Sequence, residues 1–186
     1  MKKTRFMAAA LILAALVSAA ACGGGGTSSV PSEEAAIKAY QAAASAYEYA
    51  QIMPLPVDAS SAPVVVNGAD YYKVTDPAFK TLEDFEKLLE ASFSDQIIAD
   101  LLEGDVRVYI DNEGELYALN GGRGTDPSIG KETYTYEKIS DTKIILKVSA
   151  ENLAEDLVTV TDSTVYEFSY ELQDGKWVFT TFPYFR

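Results

Sequence analysis

Few residues of this 186-residue chain could do covalent chemistry: it has one cysteine, Cys22, and no histidine. Cys22 stands before four glycines, Gly23 to Gly26, so a reactive thiol beside a phosphate-cradling loop is the first chemistry to weigh. A second candidate is Ser128-Ile129-Gly130-Lys131, the serine-x-x-lysine spacing in which a lysine one helical turn away activates a serine nucleophile. That chemistry needs a helix beginning at the serine. Pro127 and Gly130 put the match in a glycine-rich loop instead, and the companion lysine-threonine-glycine is missing. The whole loop, "NGGRGTDPSIGK" from Asn120 to Lys131, would cradle a phosphate only if a helix followed it, and strands are expected on both sides. It reads equally as a long mobile connection between hairpin strands or as a binding loop, since unstructured loops of about twelve residues are uncommon without a role. Acid pairs such as Glu83 with Asp84, Asp111 with Glu113 and Glu151 with Glu155 could share acid-base work. Among 28 acids each pair is more simply a solvated face, and "DNEGE" lacks the further ligands of a calcium loop. No metal and no cofactor are expected.

Lys2, Lys3 and Arg5 precede the apolar run Met7 to Ala21, which is too short to span a bilayer as a permanent helix and reads as a secretory leader. Small residues Ser18 to Ala21 then lead into Cys22 and a glycine-serine stretch. This resembles a bacterial lipoprotein signal, with Ala19 where such signals usually carry leucine. The resemblance implies a signal peptide over 1–21, lipid attachment at Cys22, a tether over 22–31 and one domain over 32–186, held on the outer face of the cell membrane. Two acyl chains, at about 0.8 kcal/mol per buried methylene, would anchor it stably. The tether reaches only about 15–20 Å, and the thiol is used up.

Past the leader, 12 basic residues face 28 acidic ones. Such a surface repels nucleic acid and anionic lipid; it suits solubility in a salty exterior, or attraction to a cationic partner. A monomer is expected.

The elements that must position any site follow from periodicity. Ser32 can cap a helix with Glu33 and Glu34 in its first turn and Ile37, Tyr40, Ala44 and Tyr47 on one stripe, ended by Pro54 and Pro56. Residues 57–69 read as a loop or short edge strand, and "DYYKVTD" as a strand. Thr81 with Asp84 predicts a capping box ahead of Leu82, Phe85, Leu88 and Leu89. Ser94 predicts a second cap, for a helix stopped by Gly104, with a tight corner at Phe93. Beyond Asp105 the period becomes two: Val106, Val108 and Ile110, then Leu116 and Ala118 across "DNEG", predict a hairpin with those residues inward. Further strands are expected at "TYTYEKI", "KIILKVS", "LVTVT", "TVYEFSYEL" and "KWVFTTF", with Asp174-Gly175 in a type I′ turn. Tyr166, Phe168 and Tyr170 should face the core with Trp177 and Phe179. Helices followed by antiparallel strands predict an α+β domain, a curved sheet of five to seven strands with the helices packed on one face. The last strand ends at "FPYFR", and no C-terminal appendage is expected.

Three stretches, "YYKVTDPAFKTLEDFEKLLEASFSDQIIADLLEG", "DNEGELYAL" and "GGRG", resemble the DL-endopeptidase inhibitor IseA family of secreted and lipid-anchored bacterial proteins, over residues 71 to about 150. The resemblance implies a non-enzymatic inhibitor that binds cell-wall hydrolases of the NlpC type. It also implies a two-lobed α+β shape with a cleft and a mobile loop. The matching loop region carries Arg123, Gly124 and Asp126; with Asn120, Gly122 and nearby Tyr117 it forms the expected partner-binding set. The rival reading is a small-ligand-binding lipoprotein with a cone-shaped fold like nuclear transport factor, which would need an enclosed aromatic cavity behind Trp177.

Overall fold

The structure, a computed structural model, describes residues 29–103 and 107–186. The leader, Cys22, the tether up to Ser28, the Gly104 helix stop, Asp105 and Val106 lie outside the described residues. No helix among the described residues is long and apolar enough to cross a membrane.

The fold is α+β. Helix α1 (Glu33–Gln51) begins where the Ser32 hydroxyl accepts the Ala35 N–H at 3.3 Å, with Glu33 and Glu34 at the positive end of its dipole. It buries Tyr40 and five alanines, whose small side chains let its axis lie close to the sheet. Ile37 and Tyr47 of the expected stripe are only half-buried. Helix α2 (Leu82–Glu90) has the full capping box: Thr81 Oγ1 accepts the Asp84 N–H at 3.2 Å, and Asp84 accepts the Thr81 N–H at 3.0 Å. Helix α3 (Asp95–Leu102) follows a corner at Phe93. Ser94 occupies the cap position, but its hydroxyl caps nothing. The corner is pinned by tertiary bonds instead: the Ser94 N–H donates to Phe179 O at 3.0 Å, and the Phe179 N–H to Ser92 O at 2.8 Å.

Two four-stranded antiparallel sheets replace the single sheet expected. The first, in spatial order β1-β2-β4-β3, contains β1 (Val64–Val66), β2 (Ala69–Lys73), β3 (Tyr109–Asn112) and β4 (Glu115–Leu119). The second, in order β5-β6-β7-β8, contains β5 (Ile129–Lys138), β6 (Lys143–Leu153), β7 (Val160–Gln173) and β8 (Lys176–Thr181), and curls into a half-barrel. Asp174-Gly175 turns with φ of 49° and 79°, both positive as a type I′ turn requires. Asn67-Gly68 and Glu113-Gly114 repeat that pattern, so the segment before Ala69 is a hairpin.

Two strand assignments need correction. "LVTVT" is not a separate strand: Leu157 lies in a hairpin turn, and Val160 already belongs to β7, pairing with Leu153 of β6 before a register shift that leaves Thr161 unpaired and the ladder resuming at Asp162 with Asn152. In β3 the inward residue is Tyr109, which shares a face with Ala118, while Ile110 pairs with Tyr117 on the other side. Tyr109 wins the core position because its ring packs 4.2 Å from Phe85 and its hydroxyl is satisfied there, accepting from Leu55 N–H and donating to Tyr49 O.

One contiguous core joins both sheets to the helices. Tyr40 of α1 meets Phe168 at 4.8 Å between ring centroids, and Phe93 of the helix corner meets Phe182 at 5.1 Å. At the N-terminal end Val30 packs on the core and Pro31 O accepts the Tyr136 hydroxyl at 2.9 Å, so ordered packing starts two residues before Ser32.

Burial raises the phenol pKa of Tyr40, Tyr47, Tyr109, Tyr134, Tyr170 and Tyr184, the last to about 12. Unfolded tyrosines release their protons near about 10, so above that pH the unfolded state binds fewer protons than the folded one. Stability should therefore hold below pH 10 and fall as pH rises toward 12. Phenolate absorbance should show these six silent until the chain unfolds; all twelve tyrosines titrating in one early step without unfolding would contradict their burial.

Candidate binding cleft

The segment 120–128 crosses from β4 of the first sheet to β5 of the second, so it is a bridge between sheets rather than a hairpin connection. Gly121 and Gly124 take φ of 98° and 75°, values open to glycine at no steric cost. Gly122 lies against the end of α1: a Cβ there would stand 2.0 Å from Ile52 O. Asp126 closes the far end, accepting the Ser128 N–H at 2.9 Å and the Ser128 hydroxyl at 2.7 Å. These bonds hold the exposed Asp126 carboxyl below its usual pKa. The Ser128 hydroxyl is thus engaged with Asp126, and Lys131 lies in a strand, so no helical serine-lysine pair exists.

Arg123 projects from the bridge with its guanidinium 5.9 Å from the Tyr184 ring centroid, and it has no carboxylate partner among the described residues. Tyr184 stacks flat on Tyr47, 4.5 Å away at 6°, and its buried hydroxyl has no hydrogen-bond partner. Burial and the nearby Glu48 carboxylate push that hydroxyl up to about 12, so it stays a neutral donor at physiological pH. The cleft between the bridge and the 184–186 segment encloses about 400 Å³, lined by Arg123, Gly124, Asp126, Pro127 and Tyr184.

A second cleft of about 440 Å³ opens on the other side of Asp126, toward Glu48, Glu132 and Tyr134. Arg186 separates the two. Its guanidinium donates to Glu132 Oε1 at 2.5 and 2.9 Å and to Glu48 at 3.4 Å, between the rings of Tyr40 and Phe185. Glu132 also accepts the Tyr134 hydroxyl at 3.0 Å. Burial pulls the Arg186 pKa down, but the Tyr40 hydroxyl, Glu132 and Glu48 together raise it above the arginine norm, and the bonds to Arg186 commit Glu132 to a structural role rather than presenting it as a base. The first cleft therefore presents a free cation, Arg123, on an aromatic platform, while Glu48 and Glu132 beside the second are tied to Arg186. A guanidinium so placed suits recognition of a carboxylate.

Of the expected partner-binding residues, Arg123, Gly124 and Asp126 line the cleft and Gly122 props the bridge. Asn120 is exposed where the bridge leaves β4. Tyr117 sits in β4 opposite Ile110 and Lys73, on the face away from Leu116 and Ala118, and lines neither cleft. The acid pairs do not converge. Glu83 pairs with Lys87, Asp84 caps α2, Asp111 accepts from Gly114 N–H within its own turn, and Glu151 accepts from Lys131 N–H. No cluster of three or more acids fit for a metal ion occurs among the described residues. Sequence reasoning missed Tyr47, Glu48, Glu132, Tyr184 and Arg186. The one available signal was the aromatic density of "FPYFR", too rich for a tail that merely trails from a sheet.

In comparisons with known proteins, no family model matches the chain and no curated protein matches it.

Proposed function

We propose that this protein is a membrane-anchored extracytoplasmic binding protein that inhibits a secreted cell-wall endopeptidase of the NlpC type, with the bridge 120–128 as its contact element. The observation that carries this reading is Arg123: an arginine without an ion pair among the described residues, held on the Tyr184–Tyr47 stack at the mouth of an open cleft. A guanidinium so placed keeps its donors free for a partner carboxylate. The acidic excess of the chain would steer a cationic hydrolase toward it, which raises the association rate more than the final affinity. The resemblance in "GGRG" points to the same loop, and the leader points to the same side of the membrane.

The cone-shaped ligand-binding alternative needs empty space behind Trp177. Rings occupy that space: Tyr170 stands 5.5 Å from Trp177 and 4.5 Å from Phe179, centroid to centroid. The unpartnered Trp177 Nε1 is what speaks for a small ligand there.

The full chain, purified in detergent, should slow digestion of cell walls by a stem-peptide endopeptidase. Arg123→Glu should weaken that inhibition by about 30-fold or more, since removing one partner of a desolvated charge pair costs about 2–5 kcal/mol. Raising the salt from low to physiological strength should lower the association rate. No slowing of several such enzymes, or full inhibition by Arg123→Glu, would overturn the proposal.

A further inference from the structure

The β6–β7 hairpin closes in the six-residue turn 154–159, past its last pair, Leu153 with Val160. β8 accompanies β7 only from Ser169 onward, which leaves that edge of β7 uncovered near the turn, and every residue from Glu155 to Val165 is exposed. A solvated ribbon would be expected to carry polar residues at its end. This one carries Leu157 at 48 % exposure, Val158 at 78 % and Val160 at 48 %.

Leu157 is also in a backbone conformation that leucine disfavours. Its φ is +56°, the left-handed position at which hairpin turns of this kind place glycine. The tip is locked there: the Leu157 N–H donates to Ala154 O at 2.9 Å, and the Ala154 N–H to Thr159 O at 2.8 Å. Asp156 accepts the N–H groups of Val158 and Thr159 at 3.0 and 2.8 Å and the Thr159 hydroxyl at 2.6 Å, bonds that keep it ionised down to about pH 2. A turn that only reversed the chain would relieve both penalties with glycine. Exposed, strained and rigid, Leu157 makes physical sense as a side chain on display.

The surroundings select the occupant. Residues 150–164 contain Glu151, Glu155, Asp156 and Asp162 but no lysine or arginine, and none of these four acids is in an ion pair among the described residues. Acids around the tip oppose burial in an anionic bilayer and oppose pairing with a second copy of this chain. We propose that the hairpin is a docking finger whose apolar tip, Leu157 and Val158, seats in an apolar socket rimmed by lysine or arginine on a protein partner. The base of the hairpin adjoins the end of the bridge, since the Leu153 N–H donates to Ser128 O at 2.7 Å, so the partner assigned to the tip is the one that contacts the bridge. In that form the inference rests on the proposed function, with the endopeptidase as partner.

The test uses the full chain in detergent, a cationic stem-peptide endopeptidase as probe, and the variants Leu157→Gly, Val158→Ser and Arg123→Glu. Leu157→Gly should leave the thermal midpoint unchanged or raised, because glycine fits the left-handed position, and should weaken binding about 10-fold or more. Val158→Ser should weaken binding on a similar scale. Unchanged affinity in both tip variants, with binding by the wild-type chain intact, overturns the finger and leaves the proposed function standing. No binding by the wild-type chain to any such enzyme overturns the proposed function and the finger with it. Self-association of the wild-type chain that Leu157→Gly abolishes would overturn the assigned partner in favour of a second copy. Blue-shifted emission from Leu157→Trp on neutral lipid vesicles would overturn it in favour of a bilayer.

Discussion

Phe168→Ala should lower the free energy of unfolding by about 3–5 kcal/mol, the usual range for deleting a fully buried phenylalanine ring. The Phe168 ring is wholly buried, with Tyr40 at 4.8 Å, Phe182 at 4.9 Å, Phe185 at 6.4 Å and Phe179 at 6.5 Å between centroids. Those neighbours come from α1, β8 and the segment beyond it, so the cavity would open where three parts of the chain meet. None can collapse into it without leaving its own partners, which places the cost toward the upper end. A typical domain holds only about 5–15 kcal/mol in total. The thermal midpoint should fall by roughly 6–20 °C, and urea unfolding should shift with it. A loss below about 1 kcal/mol would mean that the ring does not fill the core.

Gly122→Ala should displace the bridge. The added Cβ would stand 2.0 Å from Ile52 O, 2.9 Å from Ile52 C and 3.0 Å from Met53 Cα, all backbone atoms at the end of α1, so no side chain can rotate to make room. Forcing the contact costs about 1–3 kcal/mol or lifts the loop away. As the loop lifts, Arg123 leaves the Tyr184 ring and inhibition falls as in Arg123→Glu. Hydrogen exchange across 120–128 should rise, and the midpoint should drop by about 2–12 °C, least where the loop lifts away. Gly121→Ala makes a sharp comparison: its φ of 98° strains an alanine, but nothing lies within 4 Å of the new Cβ. It should therefore disturb the bridge less. Unchanged exchange in Gly122→Ala would rule out the close approach to Ile52.

Much of the fold was legible where its causes are local. Ser32 caps α1, Thr81 and Asp84 form the capping box, and Asp174-Gly175 turns as that dipeptide favours, because each depends on residues three or fewer apart. The period-two reading of β7 placed Phe168 and Tyr170 inward, since one face of a strand meets one environment. It misjudged β3, where aliphatic Ile110 yields the core to Tyr109 because Phe85, Leu55 and Tyr49 together satisfy both the ring and the hydroxyl of the tyrosine. Ser94 does stand at the cap position and starts α3 as read, but its hydroxyl makes no cap bond, and its N–H is bonded instead by a strand 85 residues further on, a partner that no local rule supplies. Within the candidate site, the glycines and Arg123 were visible as a loop with unusual composition. The wall that gives Arg123 its setting was not, since Tyr47, Glu48, Glu132, Tyr184 and Arg186 are scattered over 140 positions and meet only through packing.

The amino-acid sequence alone was enough for the α+β class, the positions of the helix starts, the aromatic core of the last strands and the absence of histidine, each set by composition or by interactions between near neighbours. Tertiary structure decided the rest. It divided the strands into two sheets, turned the glycine-rich segment into a bridge between them, set Arg123 on the Tyr184–Tyr47 stack and held Leu157 in a strained, exposed turn. Strand pairing and ring stacking depend on which distant surfaces exclude water together, and that choice is made by the folded chain as a whole.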